Sequence, residues 1–268
     1  MYYQHTSIDC HNNSTDLLPL LSFMYSKQLK DFAERGDRVF LTHVSVDCVI
    51  FGFHEDRLKV LLLKWKKGPW CLPGGFVKYE ESVDDSAVRT LNERTGLKDI
   101  YLQQFYTFGD PSREKGKKMS AVKSWINKRF ISVGYYALVE FSKVNPQPDI
   151  LSTECRWWDI KKVPALIYDH KQIMNKALEI LRLDLNDHPV GYNLLPEKFT
   201  MPELQRLYET ILGESLDRRN FQKRMLGLEI LEKLKERKLG GAHKAPFLYR
   251  FDKHKYQKAL KQGLKSGW

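Results

Sequence analysis

The sequence predicts an α/β protein built in two parts, an α/β/α sandwich followed by a C-terminal winged helix-turn-helix domain. Strand-period apolar runs alternate with two helical patterns through the first two thirds of the chain. Two short capped helices and a basic hairpin follow, and most of the excess positive charge is concentrated there. At 268 residues, 42% hydrophobic and 12% aromatic, the chain exceeds one average domain and has apolar material for more than one core. The expected divisions are a helical extension at 1–38, the sandwich at 39–190 and the winged part at 191–268.

The extension starts polar and then gives one helical segment, 16–35, with Pro19 in its first turn. Packing against the sheet or a second subunit is its expected role. Val- and Ile-rich residues 41–53 turn at Glu55-Asp56 into 58–65, a hairpin pattern. Residues 70–72 lead into Pro73-Gly74-Gly75, which feeds a helix. In that helix Ser82 is the N-cap, Asp84 and Asp85 suit the positive N-terminus, and Gly96 is the C-cap. Val83, Ala87, Val88 and Leu91 are its expected apolar stripe. Strands are expected at 100–108, 130–141 and 155–160, and an amphipathic helix at 167–183. Residues 119–129 lengthen a loop and place Lys123, Lys128 and Arg129 beside Trp125. A DNA contact, a solvated loop and a dimer contact all fit that composition.

The C-terminal part is legible residue by residue. Thr200 and Glu203 form a capping box, and Leu204, Leu207, Tyr208, Ile211 and Leu212 make the buried stripe of a helix that Gly213 stops. Asp217 caps a second helix, ended by Gly227, with Phe221 and Met225 inward. Arg218, Arg219, Asn220, Gln222, Lys223 and Arg224 crowd its first turns. Residues 228–234 and 247–251 form a hairpin whose tip carries Gly240-Gly241, flanked by Lys238, His243 and Lys244. A recognition helix presents its N-terminal residues to the major groove, where Arg pairs with guanine and Asn or Gln with adenine. The wing residues suit backbone phosphate or a minor groove.

Charge supports the same placement. Residues 194–268 hold 17 Lys and Arg against 9 Asp and Glu, so +8 of the total +11 lies there. Composition alone is equally consistent with solubility charge; motif order favours double-stranded DNA. No run of 18 apolar residues is present, and the N-terminus lacks the basic region and cleavage pattern of a signal peptide. Cys10, Cys48, Cys71 and Cys155 have no metal-ligand spacing and read as reduced, buried thiols of a cytoplasmic protein.

Gly75, Glu81, Arg89, Glu93, Gly96 and Leu97 stand at the spacings of the Nudix box, and this stretch resembles the Nudix superfamily. The resemblance implies a helix face that, in a working hydrolase, carries carboxylates holding Mg²⁺ against a substrate diphosphate. Two of those positions hold Thr90 and Arg94 here. One remaining carboxylate cannot neutralise a divalent cation, and a guanidinium beside it repels one. The site is therefore expected to be non-catalytic, without metal or cofactor, with Glu81 and Arg89 kept as a brace between loop and helix. The alternative is a hydrolase that borrows ligands from Glu80, Glu81, Asp84 or Asp110 and acts on a nucleoside diphosphate derivative such as ADP-ribose.

Residues 193–200, 204–209 and 216–224, with 106–111 and 164–170, are similar to the Nudix-related transcriptional regulators. That group joins a Nudix-like sensor to a winged helix and controls NAD metabolism or pentose use. The resemblance implies a homodimer on a palindromic operator, acting as a repressor in which a small molecule in the old catalytic cleft shifts the winged helices. The implied effector is a pentose such as arabinose or an ADP-ribose-like nucleotide, with a slight preference for a sugar. Arg94 or Arg113 offers a direct phosphate contact. Lys64, Phe108, Asp110 and Arg113 are the candidate pocket residues. A ligand-binding adaptor acting only through protein contacts is the third reading.

Overall fold

A computed structural model describes residues 27–28, 30–66, 68–98, 100–113, 124–149, 151–187, 191–238 and 245–262. The longest strand, β1 (Phe40–His54), turns through Glu55 and Asp56 into β2 (Arg57–Trp65). Both turn residues are left-handed, at φ 50° and 54°, the backbone that a two-residue hairpin with the native strand twist requires. His54 therefore pairs with Arg57, as the sequence turn predicts.

Short β3 (Trp70–Cys71) and β4 (Gly74–Lys78) follow, then helix α1 (Val83–Thr95), β5 (Tyr101–Phe108), β6 (Ile131–Val139) and β7 (Ser152–Asp159). The sheet runs β3-β2-β1-β6-β5, with β4 also on β1 and β7 also on β2. β1 and β6 are parallel, and the other pairings are antiparallel. Helix α2 (His170–Asp187) closes the sandwich.

Alternation along β1 assigns the two faces. Val46, Cys48 and Ile50 pack with Ala87 and Leu91 of α1, whereas Val49 and Phe51 pack with Ile173, Ala177 and Leu181 of α2. A central strand covered on both faces needs apolar residues at successive positions, which accounts for the run 48–51.

Two expectations are corrected here. Val88 is 46% exposed, and the inward face of α1 is Ser86, Ala87, Thr90 and Leu91. Val88 lies about 100° round the helix from Ala87 and points away from the sheet. Helix α2 starts at His170, because Tyr168 is left-handed (φ 49°) and cannot continue a helix from Ile167.

At the N-terminal side, residues 27–28 and 30–35 are helical; the rest of the expected helix, 16–26, lies outside the described residues. Phe32 meets Phe40, Phe76 and Trp125 at ring separations of 5.4 to 5.9 Å, so the extension packs on the sheet. Trp125 is buried in that cluster, where the sequence left open a contact with nucleic acid.

After β8 (Phe199–Thr200) come α3 (Met201–Leu212), α4 (Arg218–Gly227), β9 (Leu231–Arg237), β10 (Phe247–Phe251) and α5 (Lys253–Gln262). Thr200 and Glu203 form the capping box, and Gly213 ends α3 at φ 83°. Leu204, Leu207, Tyr208 and Ile211 meet Phe221, Met225, Tyr249 and Phe251 in one core. Gly227 is still helical, and the turn after α4 falls on Glu229, left-handed at φ 54°. Helix α5 was not expected. Its signals are Asp252, which accepts from Lys255 N at 3.1 Å, and Tyr256, buried against Tyr192 and Phe251.

The two parts share one core, because Leu181 and Leu185 of α2 join Leu194, Leu204 and Ile211. Arg206 of α3 binds Asp56 at the β1–β2 tip at 2.7 Å, and Arg182 of α2 donates to Ile211 O at 2.7 Å. Leu204→Ala is expected to cost about 2–5 kcal/mol by urea denaturation, since it empties the fully buried centre of this junction.

Candidate ligand cleft and nucleic-acid interface

The turn from β4 to α1 is fixed by one ion pair. Arg89 Nε and Nη2 donate to Glu81 at 3.0 and 2.7 Å, and Nη2 also reaches Phe76 O at 2.9 Å. Glu81 in turn accepts from Lys78 N at 2.9 Å. The Arg89 hydrogen bonds hold the Glu81 carboxyl at a pKa of about 2, against the opposing effect of partial burial.

The box positions have distinct placements. Thr90 is buried beneath Gly75, where an added Cβ would stand 2.6 Å from Thr90 Oγ1, so glycine is obligatory at 75. Glu93 is held between Arg89 at 3.4 Å and Arg94 at 3.2 Å. Arg94 also stands 3.7 Å from Asp149. Gly96 ends α1 at φ 72°.

The residues expected of a divalent-metal site do not fit one. Glu81 is committed to Arg89, Thr90 is in the interior, and Arg94 brings a positive charge. Of the possible substitutes, Asp84 accepts from Tyr135 Oη and Asp110 from Ser112 N. Among the described residues no three His, Cys, Asp or Glu side chains group as metal ligands.

Beside this turn lies a cleft of about 350 Å³. One wall is aromatic, formed by Phe32, Phe40, Phe76 and Phe130; Trp65 and Tyr168 also line it. Its polar lining includes Asp47, Lys78, Arg89, Glu93, Arg94, Arg113, Asp149 and His170. Arg113 forms two hydrogen bonds with Asp169, at 2.9 and 3.0 Å, and reaches Phe130 O at 3.1 Å and Asp47 at 3.4 Å. His170 Nδ1 accepts from Leu72 N at 3.0 Å, which leaves the ring proton on Nε2, 3.6 Å from Asp47. Burial lowers the His170 pKa against the pull of Asp47 and Asp169, so the ring is neutral.

Of the four pocket candidates, only Arg113 lines this cleft. Lys64 falls between Leu63 and Trp65 on β2 and therefore faces the other side of the strand, its ammonium 5.5 Å from the Trp70 ring centre. Phe108 packs with Phe105 and Tyr106. Asp110 accepts from Ser112 N at 2.6 Å and orders its own loop. Sequence reasoning missed Asp47, Asp149 and His170. The one available signal was Asp47, a carboxylate inside an apolar strand.

On the winged part, Arg218, Arg219, Asn220 and Lys223 are exposed along α4 behind the Asp217 cap, which accepts from Asn220 N at 2.9 Å. Gln222 and Arg224 are half-buried. Burial lowers the Arg224 pKa despite the nearby Tyr208 on α3, so this cation sits against the helix pair. Lys238 donates to Glu203 of the capping box. Lys233 and Arg237 of β9 both stack over Phe247, each 3.8 Å from its ring centre. His243 and Lys244 lie outside the described residues.

Fold and surface together define a Nudix domain carrying a winged helix. Residues 41–179 match the NUDIX domain family and 191–251 the NrtR DNA-binding winged helix domain. The ADPR responsive transcriptional repressor NtrR of Acinetobacter baylyi is 31% identical over 216 residues, 78% of this chain and 81% of that protein. The crystal structure of Shewanella oneidensis NrtR complexed with a 27mer DNA is similar at TM-score 0.67 and 26% identity, over 84% of this chain and 99% of the other. The ADP-ribose pyrophosphatase of Methanocaldococcus jannaschii is 25% identical, over 62% of this chain and 91% of that enzyme. The chain belongs to the Nudix-related transcriptional regulators of the NrtR type.

Because Glu81 titrates lower in the folded protein than its ordinary 4.5, its contribution is complete above that value and is lost as pH falls towards about 2. The stability difference between wild type and Glu81→Gln, measured by denaturation across pH, is expected to shrink over that acid window and to stay constant above it.

Proposed function

We propose that this chain is a cytoplasmic, homodimeric repressor that holds a palindromic operator through α4 and the wing and responds to ADP-ribose in the Nudix cleft. The observation that carries the reading is the pairing, on one chain, of an intact Nudix frame bearing Arg94 at a carboxylate position with a capped helix exposing Arg218, Arg219, Asn220 and Lys223. The response of the Acinetobacter relative to ADPR favours the nucleotide over arabinose or another pentose, reversing the slight preference drawn from sequence. The proposed divisions remain 1–38, 39–190 and 191–268. No described helix is long and apolar enough to cross a membrane.

The hairpin offers a route for coupling. β1 and β2 contribute Asp47, Leu63 and Trp65 to the cleft, and their shared tip places Asp56 on Arg206 of α3. Tyr208 of α3 packs on Phe221 of α4 at 5.4 Å, so a displacement of the hairpin reaches the recognition helix. For ADP-ribose to act it must bind the DNA-free arrangement better; a hundredfold preference is about 2.7 kcal/mol. The hydrolase reading has support in the similarity to the archaeal pyrophosphatase, and the Arg94 charge paired with Glu93 weighs against it.

A double-stranded fragment selected from a random pool is expected to bind tightly in a gel shift, with affinity falling steeply as salt rises, and to be released by ADP-ribose. Failure to select any fragment defeats the regulator reading. Arg219→Ala is expected to weaken the selected complex by about 1–3 kcal/mol if it reads a base. Incubation with ADP-ribose and Mg²⁺ is expected to release no phosphate product; turnover abolished by Glu93→Gln establishes the hydrolase instead.

A further inference from the structure

The same cleft contains cations in unequal states. Arg89 is held by Glu81, Phe76 O, Ser86 and Glu93. Arg113 is held by Asp169, Phe130 O and Asp47. Arg94 differs from both. Its side chain is 12% exposed, Nη2 lies 3.2 Å from Glu93 and 3.7 Å from Asp149, and its buried Nε has no hydrogen-bond partner among the described residues. A guanidinium has five N–H donors, and the two contacts named engage only Nη2; Nε is buried from solvent, so the capacity that Arg94 brings to the cleft wall is that of its terminal nitrogens.

From this we infer that Arg94 takes over the part a divalent cation would play at this frame, binding the diphosphate of the ligand directly, so that recognition needs no metal ion. The inference rests on the ADP-ribose reading and specifies how the charged centre of that ligand is held. Arginine matches phosphate oxygens with two parallel hydrogen bonds, which a neutral pentose cannot exploit to the same degree. Glu93 and Asp149 flank the guanidinium and fix its orientation before the ligand arrives. The aromatic wall of Phe32, Phe40, Phe76 and Phe130 provides an apolar face for a base in the same cleft. A magnesium ion placed here would meet the Arg94 charge without the carboxylates needed to offset it.

The test is calorimetric titration of the full chain with ADP-ribose and with adenosine, in Mg²⁺ and in EDTA, for wild type, Arg94→Gln and Arg94→Lys. The expected result is ADP-ribose affinity unchanged within about twofold by EDTA and lowered at least about tenfold by Arg94→Gln in either buffer. Adenosine affinity should not respond to the substitution, and Arg94→Lys should recover part of the loss, because it keeps the charge without the fork. Wild type that binds ADP-ribose only with Mg²⁺ overturns the inference and leaves the regulator reading standing. Arg94→Gln binding ADP-ribose like wild type, or losing adenosine equally, also overturns it. A wild type that binds no ADP-ribose in either buffer, while arabinose releases the selected DNA, removes the nucleotide reading and this inference with it.

Discussion

The clasp between Arg89 and Glu81 is the constraint on which the rest of the cleft depends. It ties the second turn of α1 to the loop leaving β4, and its extra bonds to Phe76 O and Lys78 N anchor that loop to the end of β4. With the loop fixed, Gly75 is pressed on Thr90, and the last turn of α1 directs Glu93 and Arg94 at the cleft. The clasp has a mechanical task, bracing the loop against the helix, that does not depend on which charges surround it. What such a frame does is set by the few side chains it presents.

The charges it presents are mixed. Asp47, Glu93 and Asp149 alternate with Lys78, Arg89, Arg94 and Arg113 around the cleft, and His170 is neutral. The aromatic cluster that forms one wall depends on Phe32, which brings the helical extension into the same site.

Continuity between the parts is equally physical. One apolar core runs from the α2 face of the sheet into the winged helix, and the β1–β2 tip is bound to α3 at Asp56. Close-packed interiors of this kind transmit displacements rather than absorb them. The cleft end of the hairpin and the helix pair that carries the exposed basic residues are thus joined through packed contacts.

The sequence by itself determined the local structure: the hairpin turn at Glu55-Asp56, the caps at Ser82, Thr200 and Asp217, and the glycine stops at 96 and 213 all follow from short-range rules. It also gave the Nudix frame, the substitutions at 90 and 94, and the basic second helix, because these are fixed by spacing along one helix. The tertiary structure alone decided which side chains meet. Lys64 was turned from the cleft by strand alternation, Trp125 was drawn into an aromatic cluster, and Asp47 was brought to His170 and Arg113 across separations of more than sixty residues. Pairings at that distance depend on sheet order and on which elements cover each face; local alternation fixes only which side chains of a strand share a face.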